Sequence, residues 1–484
     1  MIITKELDSI LNDCFDGNNK TVKIINSLPG TGKTTSIRLL CEKFSYLRFL
    51  YLSYNVSNVS SANMPDNVCA MSFHKLAFSV IGRHYSHKLS NDVELVAIKN
   101  RLNLRWRDAG YVKGTLEKWF MSSDENIGSE HTGIDKLSKS QSIAEGAKAI
   151  WKYMCNVNDN FPISHDGYFK GFTLGEIDLS KYFDVIVVDE FQDINPCFGS
   201  FLEKQINCEM VFIGDDNQQI YRYRGAENIV SRMSVNRSVK TFELSNSFRF
   251  GNEIAEVGNR YLALLGRNQE IVGLGKENVE ESIQIISSDM IFDEQYAYLG
   301  RKFITVINKA IQLYSQNKSI FWIGGVSSYN FSEIYDVLNL KNNRRSKIKN
   351  KFLINNFESF EVYKSAAKSS NDYDMCRIIA MIEQFGDSLY GMLSALESNA
   401  VSTLSEAHAI VGTAHKSKGS EFDNVCLLDD FSSKERLQSL EEDERIDELR
   451  LQLVAVTRAK KRLIITEVIA DIIDFTPCTA GKII

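Results

Sequence analysis

Apolar residues fall in short runs along this chain, and many of the runs end at a carboxylate, a glycine or a hydroxyl residue. A first set comprises TVKII (21–25), RFLYLS (48–53), VCAMSF (68–73), FDVIVVD (183–189), EMVFIGD (209–215) and KTFEL (240–244). A second comprises IQIIS (283–287), SIFWIGG (319–325), AIVGT (409–413), NVCLLD (424–429) and RLIIT (462–466). Such β-rich runs, alternating with helical patterns, predict the buried strands of parallel α/β sheets. Two clusters of runs predict two sheets. Residues 84–175 carry a mostly helical pattern, interrupted by the polar stretch MSSDENIGSEHTGIDKLSKSQS (121–142), which reads as a mobile loop. Residues 335–408 include NLKNNRRSKIKNK, with six basic residues between Lys341 and Lys351. That run reads as a solvated loop, with nucleic-acid phosphate contact as the less common alternative. No internal repeat is visible.

The length of 484 residues suits about two to four domains. Hydrophobic residues make up 44% and charged residues 24%, the balance of a soluble globular chain with an ample core. There are only 5 prolines and no Gly/Ser linker, so the domains should be interwoven rather than strung out. A net charge of -6 disfavours nucleic-acid binding by bulk charge and leaves a local groove as the route. The nine cysteines form no C-x-x-C pair and no zinc-like spacing, which suits reduced thiols in a cytosol. The N-terminus has no signal-peptide core, and no apolar run approaches the length of a membrane span. The expected location is cytoplasmic.

The stretch NSLPGTGKTT (26–35) follows the first run and nearly spells G-x-x-x-x-G-K-[ST], with Ser27 at the first glycine position. Successive backbone N–H groups in such a loop, at a helix N-terminus, cradle phosphate oxygens. The predicted cradle is Pro29, Gly30, Thr31, Gly32, Lys33, Thr34 and Thr35. Lys33 reaches the β and γ phosphates, and the Thr34 hydroxyl serves Mg²⁺. VIVVDEFQD (185–193) ends an apolar run in an acidic pair. Asp189 is placed to hold Mg²⁺ and Glu190 to orient and deprotonate an attacking water, the positioning that phosphoryl transfer needs. Chance occurrence of the glycine loop, and a solvated acidic turn, are the alternatives for each motif taken alone.

With DEFQD in place the chain resembles the superfamily 1 helicases of the UvrD/Rep type. IGDDNQQIYRYRGA (213–226), LSNSFRFGNEIA (244–255), VGTAHKSKGSEFDNV (411–425) and LVAVTRAKKRL (453–463) resemble further family motifs, in order. SFHKLA (72–77), SFRFG and TAHKSKG look most like the F-box DNA helicase branch, without an F-box segment here. The resemblance implies ATP and Mg²⁺ as cofactors and tolerates Ser27. It implies that Gln192 and Gln218 sense the γ-phosphate, that Phe248 stacks on the base and that Arg249 and Arg458 reach the γ-phosphate. Glu421 matches the acid near the ribose. For a DNA track it implies stacking by Tyr54, Phe73 and Tyr223 and strand contacts by His74, Arg224, His415 and Lys416. A core position is the plain alternative for each aromatic residue.

Departures from the family pattern are the missing upstream glutamine that reads adenine, Leu453 before V-x-V-T-R, and Ser420 in K-G-S-E-F. The interval between Arg249 and Thr413 is short, which implies a small second accessory domain. The chain ends soon after Arg458, which leaves no expectation of a fused nuclease.

The implied fold is α/β: two RecA-like P-loop NTPase lobes with a helical 1B insertion and a reduced 2B insertion. Lobe 1A would take 1–80 and 176–243, 1B 81–175, lobe 2A 244–338 and 409–484, and 2B 339–408. The expected function is a DNA-dependent ATPase that moves 3′ to 5′ on single-stranded DNA and acts at single-strand/duplex junctions. The alternative is an ATP-gated, helicase-like subunit of a repair or anti-phage defence complex, partnered for example by a nuclease.

Overall fold

Six of the apolar runs become one parallel sheet: β1 (Val22–Ser27), β2 (Phe49–Ser53), β3 (Val68–Ser72), β4 (Val185–Asp189), β5 (Glu209–Gly214) and β6 (Val239–Leu244). Their order is β3-β2-β4-β5-β1-β6. This computed structural model describes residues 3–15, 21–54, 63–220, 237–275, 281–287, 289–370 and 372–475. Every residue of β2, β4 and β5 is buried, which is why these strands read as continuous apolar runs rather than alternating ones. One face of the sheet packs on Ile37 and Leu40 of the helix Lys33–Lys43 and on Leu7 and Ile10 of Lys5–Asn12.

A second sheet contains β7 (Ser282–Ile285), β8 (Tyr296–Gly300), β9 (Ile320–Trp322), β10 (Ala400–Val401), β11 (Ala409–Thr413), β12 (Phe422–Leu427) and β13 (Ala459–Ile465). Its order is β7-β13-β12-β8-β11-β9-β10, and its pairings are parallel. The sequence reading passed over β8, YAYLG, although it sits between β11 and β12 with all its residues buried. Alanine and glycine dilute its apolar signal, and its burial is supplied by neighbours. Two lobes, each built on a parallel sheet, match the expected two-lobe RecA-like fold.

Helices Leu95–Leu102, Trp106–Met121, Leu137–Cys155 and His165–Leu174 interrupt the first lobe, and Phe331–Lys341 to Ser388–Asn399 interrupt the second. The two helical groups touch: the Trp106 ring stacks on Phe357 at 4.9 Å, and Asn100 bonds Asn356 at 2.8 Å. Within the polar stretch 121–142, residues 122–136 form a loop with one short 3-10 turn, and the loop is shorter than the stretch. The last residues of the stretch open the helix Leu137–Cys155, and the turn before it is built on buried His131. That ring accepts from the Gly128 N–H at 3.0 Å and faces Asp124 at 2.9 Å, while the Thr132 and Ser140 hydroxyls pair at 2.7 Å. Polar residues that satisfy one another locally leave no hydropathy trace.

The basic run is a surface segment with one structural cation. Arg345 donates to the carbonyls of Phe357 and Glu358 at 3.0 and 2.8 Å, and Asp336 accepts the N–H groups of Lys349 and Asn350. The other arginine and lysines from Arg344 onward are exposed. Among the described residues no helix is long and apolar enough to cross a membrane, and no cysteine among them is in a disulfide.

Candidate nucleotide cleft and strand track

The carboxyl ends of strands from both sheets open on one cavity of about 890 Å³, the usual ligand position in open parallel sheets. From the first lobe its wall takes Pro29, Gly30, Thr31, Gly32, Lys33, Thr34, Thr35, Asp189, Glu190 and Gln218. From the second it takes Phe248, Arg249, Glu421 and Arg458, with Asp423, Lys460 and Lys461 beyond them.

The loop after β1 owes its shape to two glycines. Gly30 and Gly32 have φ of 79° and 81°, a region that costs other residues energy. A Cβ on Gly30 would meet the Arg249 Cβ at 2.7 Å, so the glycine also lets the second lobe approach. Gly32 begins the helix Lys33–Lys43 with no side-chain cap, leaving its first N–H groups directed at the cavity. Ser27 is buried, and its hydroxyl bonds that of Thr31, bracing the loop from behind.

Lys33 Nζ lies 3.3 Å from Glu190 Oε1. Glu190 itself leaves β4 at φ 56°, a strained conformation for a non-glycine residue. Burial would raise its pKa, but Lys33 and Lys418 outweigh that and hold the carboxylate ionised. Asp189 moves the other way: burial, then the charge of Glu190, raises its pKa. The Tyr51 hydroxyl donates to Asp189 Oδ2 at 2.5 Å. Thr34 and Asp189 both line the cavity and offer hard oxygen atoms, the type that suits Mg²⁺.

A polar relay crosses between the lobes. Gln192 donates to Glu190 Oε2 at 2.6 Å, and its Oε1 accepts the Asp215 N–H at 3.1 Å. Gln218 donates to Asp215 Oδ2 at 2.7 Å and accepts from Arg458 Nη2 at 3.0 Å. Arg458 is 2% exposed and also donates to the carbonyls of Val454 and Ser420. Burial, then the nearby Arg249, pushes its pKa down to about 9. Arg249 donates to Glu421 Oε2 at 3.0 Å and to the Thr457 carbonyl at 2.8 Å. Lys418 joins the lobes a second time, through Asp193 Oδ2 at 2.5 Å and the Gln218 carbonyl at 2.7 Å.

Of the residues proposed from sequence for nucleotide and metal, all but one line this cavity. Gln192 stands behind the wall, 2% exposed and holding Glu190 and Asp215. Sequence reasoning passed over Tyr51, Asp215, Lys418 and Asp193. Asp193 ended the quoted DEFQD, and the repeated acid was a usable signal. Nothing in RFLYLS marks Tyr51 as a polar contact.

The proposed track is less uniform. Phe73 is a correction: it is 0% exposed, its ring 4.0 Å from Phe198 and 4.4 Å from Tyr54, so it is a core residue rather than an open stacking face. Tyr54 lies beside it, its hydroxyl accepting the Asn195 N–H at 3.4 Å. His74 stacks on Phe169 at 5.0 Å and faces Asp166 at 3.4 Å. On the second lobe exposed Lys416 donates to Ser328 Oγ at 2.9 Å and lies 4.6 Å from the Tyr329 ring centre. Burial lowers the pKa of His415 to about 4, so its ring is neutral at pH 7. Tyr223 and Arg224 lie outside the described residues.

Residues 174–234 match the UvrD/REP helicase N-terminal domain, and 408–466 match the UvrD-like helicase C-terminal domain. F-box DNA helicase 1 of Gallus gallus is 31% identical over 96% of this chain and 49% of its own length. F-box DNA helicase protein 1 of Schizosaccharomyces pombe is 27% identical over 93% of this chain and 56% of its own. Gabija protein GajB of Bacillus cereus is 27% identical over 28% of this chain and 27% of its own. The chain therefore spans about half the length of the two F-box helicases.

Proposed function

We propose, on the premise that this chain belongs to the UvrD/Rep-like superfamily 1 helicases and is related to their F-box DNA helicase branch, that it is a DNA-dependent ATPase and DNA helicase. One observation carries the reading: Lys33 and Glu190 of one lobe share a single cavity with Arg249 and Arg458 of the other.

In this reading the loop 29–35 and Lys33 bind the triphosphate. Thr34 and Asp189 would hold Mg²⁺, which when bound neutralises charge on the β and γ oxygens. Glu190, ionised beside Lys33, orients the attacking water and takes its proton. Arg249 and Arg458 stabilise charge that develops on the transferring phosphoryl group. Gln192 and Gln218 act as positioning residues. They tie Glu190, Asp215 and Arg458 into one relay, so that hydrolysis and lobe closure are linked.

The helical groups of the first and second lobes would be 1B (81–175) and a small 2B (339–408), with lobe 1A at 1–80 and 176–243 and 2A at 244–338 and 409–484. Tyr54, Tyr223, His74, Arg224, His415 and Lys416 would line a track for single-stranded DNA, travelled 3′ to 5′. The test is ATPase rate with and without single-stranded DNA, with Glu190→Gln as blank. Stimulation lost in the variant supports the reading, and DNA-indifferent turnover overturns it.

A second reading, an ATP-gated subunit of a DNA repair or anti-phage assembly, draws on the partial likeness to Gabija protein GajB. Robust ATPase without strand separation, together with a stable protein complex, would favour it. Efficient unwinding by the chain alone would count against it.

A further inference from the structure

The cavity has two chemically different ends. The phosphate end holds Lys33, Arg249 and Arg458. The turn that follows Phe248 in the chain lines the cavity too, with Gly251, Asn252 and Glu253, and Gly275 and Glu281 are bonded to that same turn and share the wall. The helix Asn252–Leu264 starts here, and an uncapped helix start would attract phosphate. This one is already satisfied. Glu281 Oε1 accepts the Gly251 N–H, and Oε2 accepts the Glu253 N–H at 3.0 Å. The carboxylate fills the space a Cβ on Gly251 would take, within 2.9 Å of that position. With a fixed negative charge on its helix start, this end rejects phosphate and is left to the base.

We propose that Glu281 is the base-reading residue and that the site accepts adenine and guanine nucleoside triphosphates alike. The inference rests on the ATPase reading above. The exposed Phe248 ring has its Cδ2 3.9 Å from the Cβ position of Gly32, and stacking on it would not distinguish purines. The chain has no glutamine in its first 33 residues to pair adenine's donor and acceptor edge at once. Each oxygen of Glu281 spends one lone pair on backbone and keeps one free. A carboxylate only accepts. It takes the single amine of adenine, or the adjacent N1–H and N2–H₂ of guanine in a bidentate pair. Cytosine also offers an amine, but its single ring reaches less far from the stacked position.

The test is kcat/KM for ATP, GTP and CTP with saturating single-stranded DNA, in the unaltered chain and in Glu281→Gln. The unaltered chain should use GTP within about tenfold of ATP, the span of one hydrogen bond, and CTP less well. The amide should lower GTP relative to ATP by about tenfold, through KM with kcat kept. Glu281→Asp, which keeps the charge, should leave the preference between purines in place. A preference for ATP above roughly a hundredfold, a ratio unmoved by Glu281→Gln, or CTP used as well as the purines would each overturn the proposal. If no nucleotide is hydrolysed with any DNA, the ATPase reading fails instead. Displacement of a fluorescent ATP analogue by ATP, GTP and CTP then decides the role of Glu281 by the same ratios.

Discussion

The nucleotide cleft and the proposed strand track teach different lessons about what a residue type reveals. In the cleft the deciding residues are charged or amide groups at strand exits, and nearly all of them reach the cavity wall. A buried charge without a partner is costly, so a carboxylate or arginine at the end of a buried strand points to an arrangement that compensates it. The track was read largely from aromatic residues. A ring gains as much from a core as from a stacked base, so the residue type alone does not separate the two. Phe73 went to the core, and Tyr54 followed it into an edge-on contact.

The largest test of this contrast is Arg458→Lys, which keeps charge and loses the planar fork. If Arg458 acts on the phosphoryl group, DNA-stimulated kcat should fall by about 10³–10⁵-fold, measured by phosphate release. A loss below tenfold would make it a lobe-bridging residue only. Next is Glu190→Gln, with an expected loss in kcat of about 10²–10⁴-fold and nucleotide binding retained.

The third test turns to the track. Phe73→Ala should cost about 3–5 kcal/mol of stability by thermal or denaturant melting, because it empties a core site. A true stacking residue would instead lose about 1–3 kcal/mol of single-strand affinity with an unchanged melt. The smallest effect concerns His415. Its folded pKa of about 4 lies below its ordinary value of 6.5, so the unfolded chain binds the extra proton first. Stability is full above pH 6.5 and falls as pH drops toward 4, by about 1–3 kcal/mol. His415→Gln should flatten that limb of a pH–melting series. An unchanged slope would mean the ring is not held neutral.

Much of the fold was legible because buried parallel strands must be apolar on both faces, as β4 and β5 are. Where burial comes from neighbours rather than from the strand's own composition, as in β8, the pattern failed. The segment 122–136 is a loop, but its internal order left no trace in the sequence: buried His131 bonds Gly128 and Asp124, and buried Thr132 bonds Ser140.

By itself the sequence marked the groups on which the proposed chemistry rests: the glycine loop and the acidic pair by residue type and position, and the two distant arginines through the family resemblance. The tertiary structure alone decided which groups meet. It set Tyr51 against Asp189 from the neighbouring strand, Lys418 against Asp193 across the lobes, and Glu281 beneath the start of the helix Asn252–Leu264. Those contacts depend on strand order and lobe packing. A linear pattern does not encode them, because the partners lie on separate elements and share no spacing.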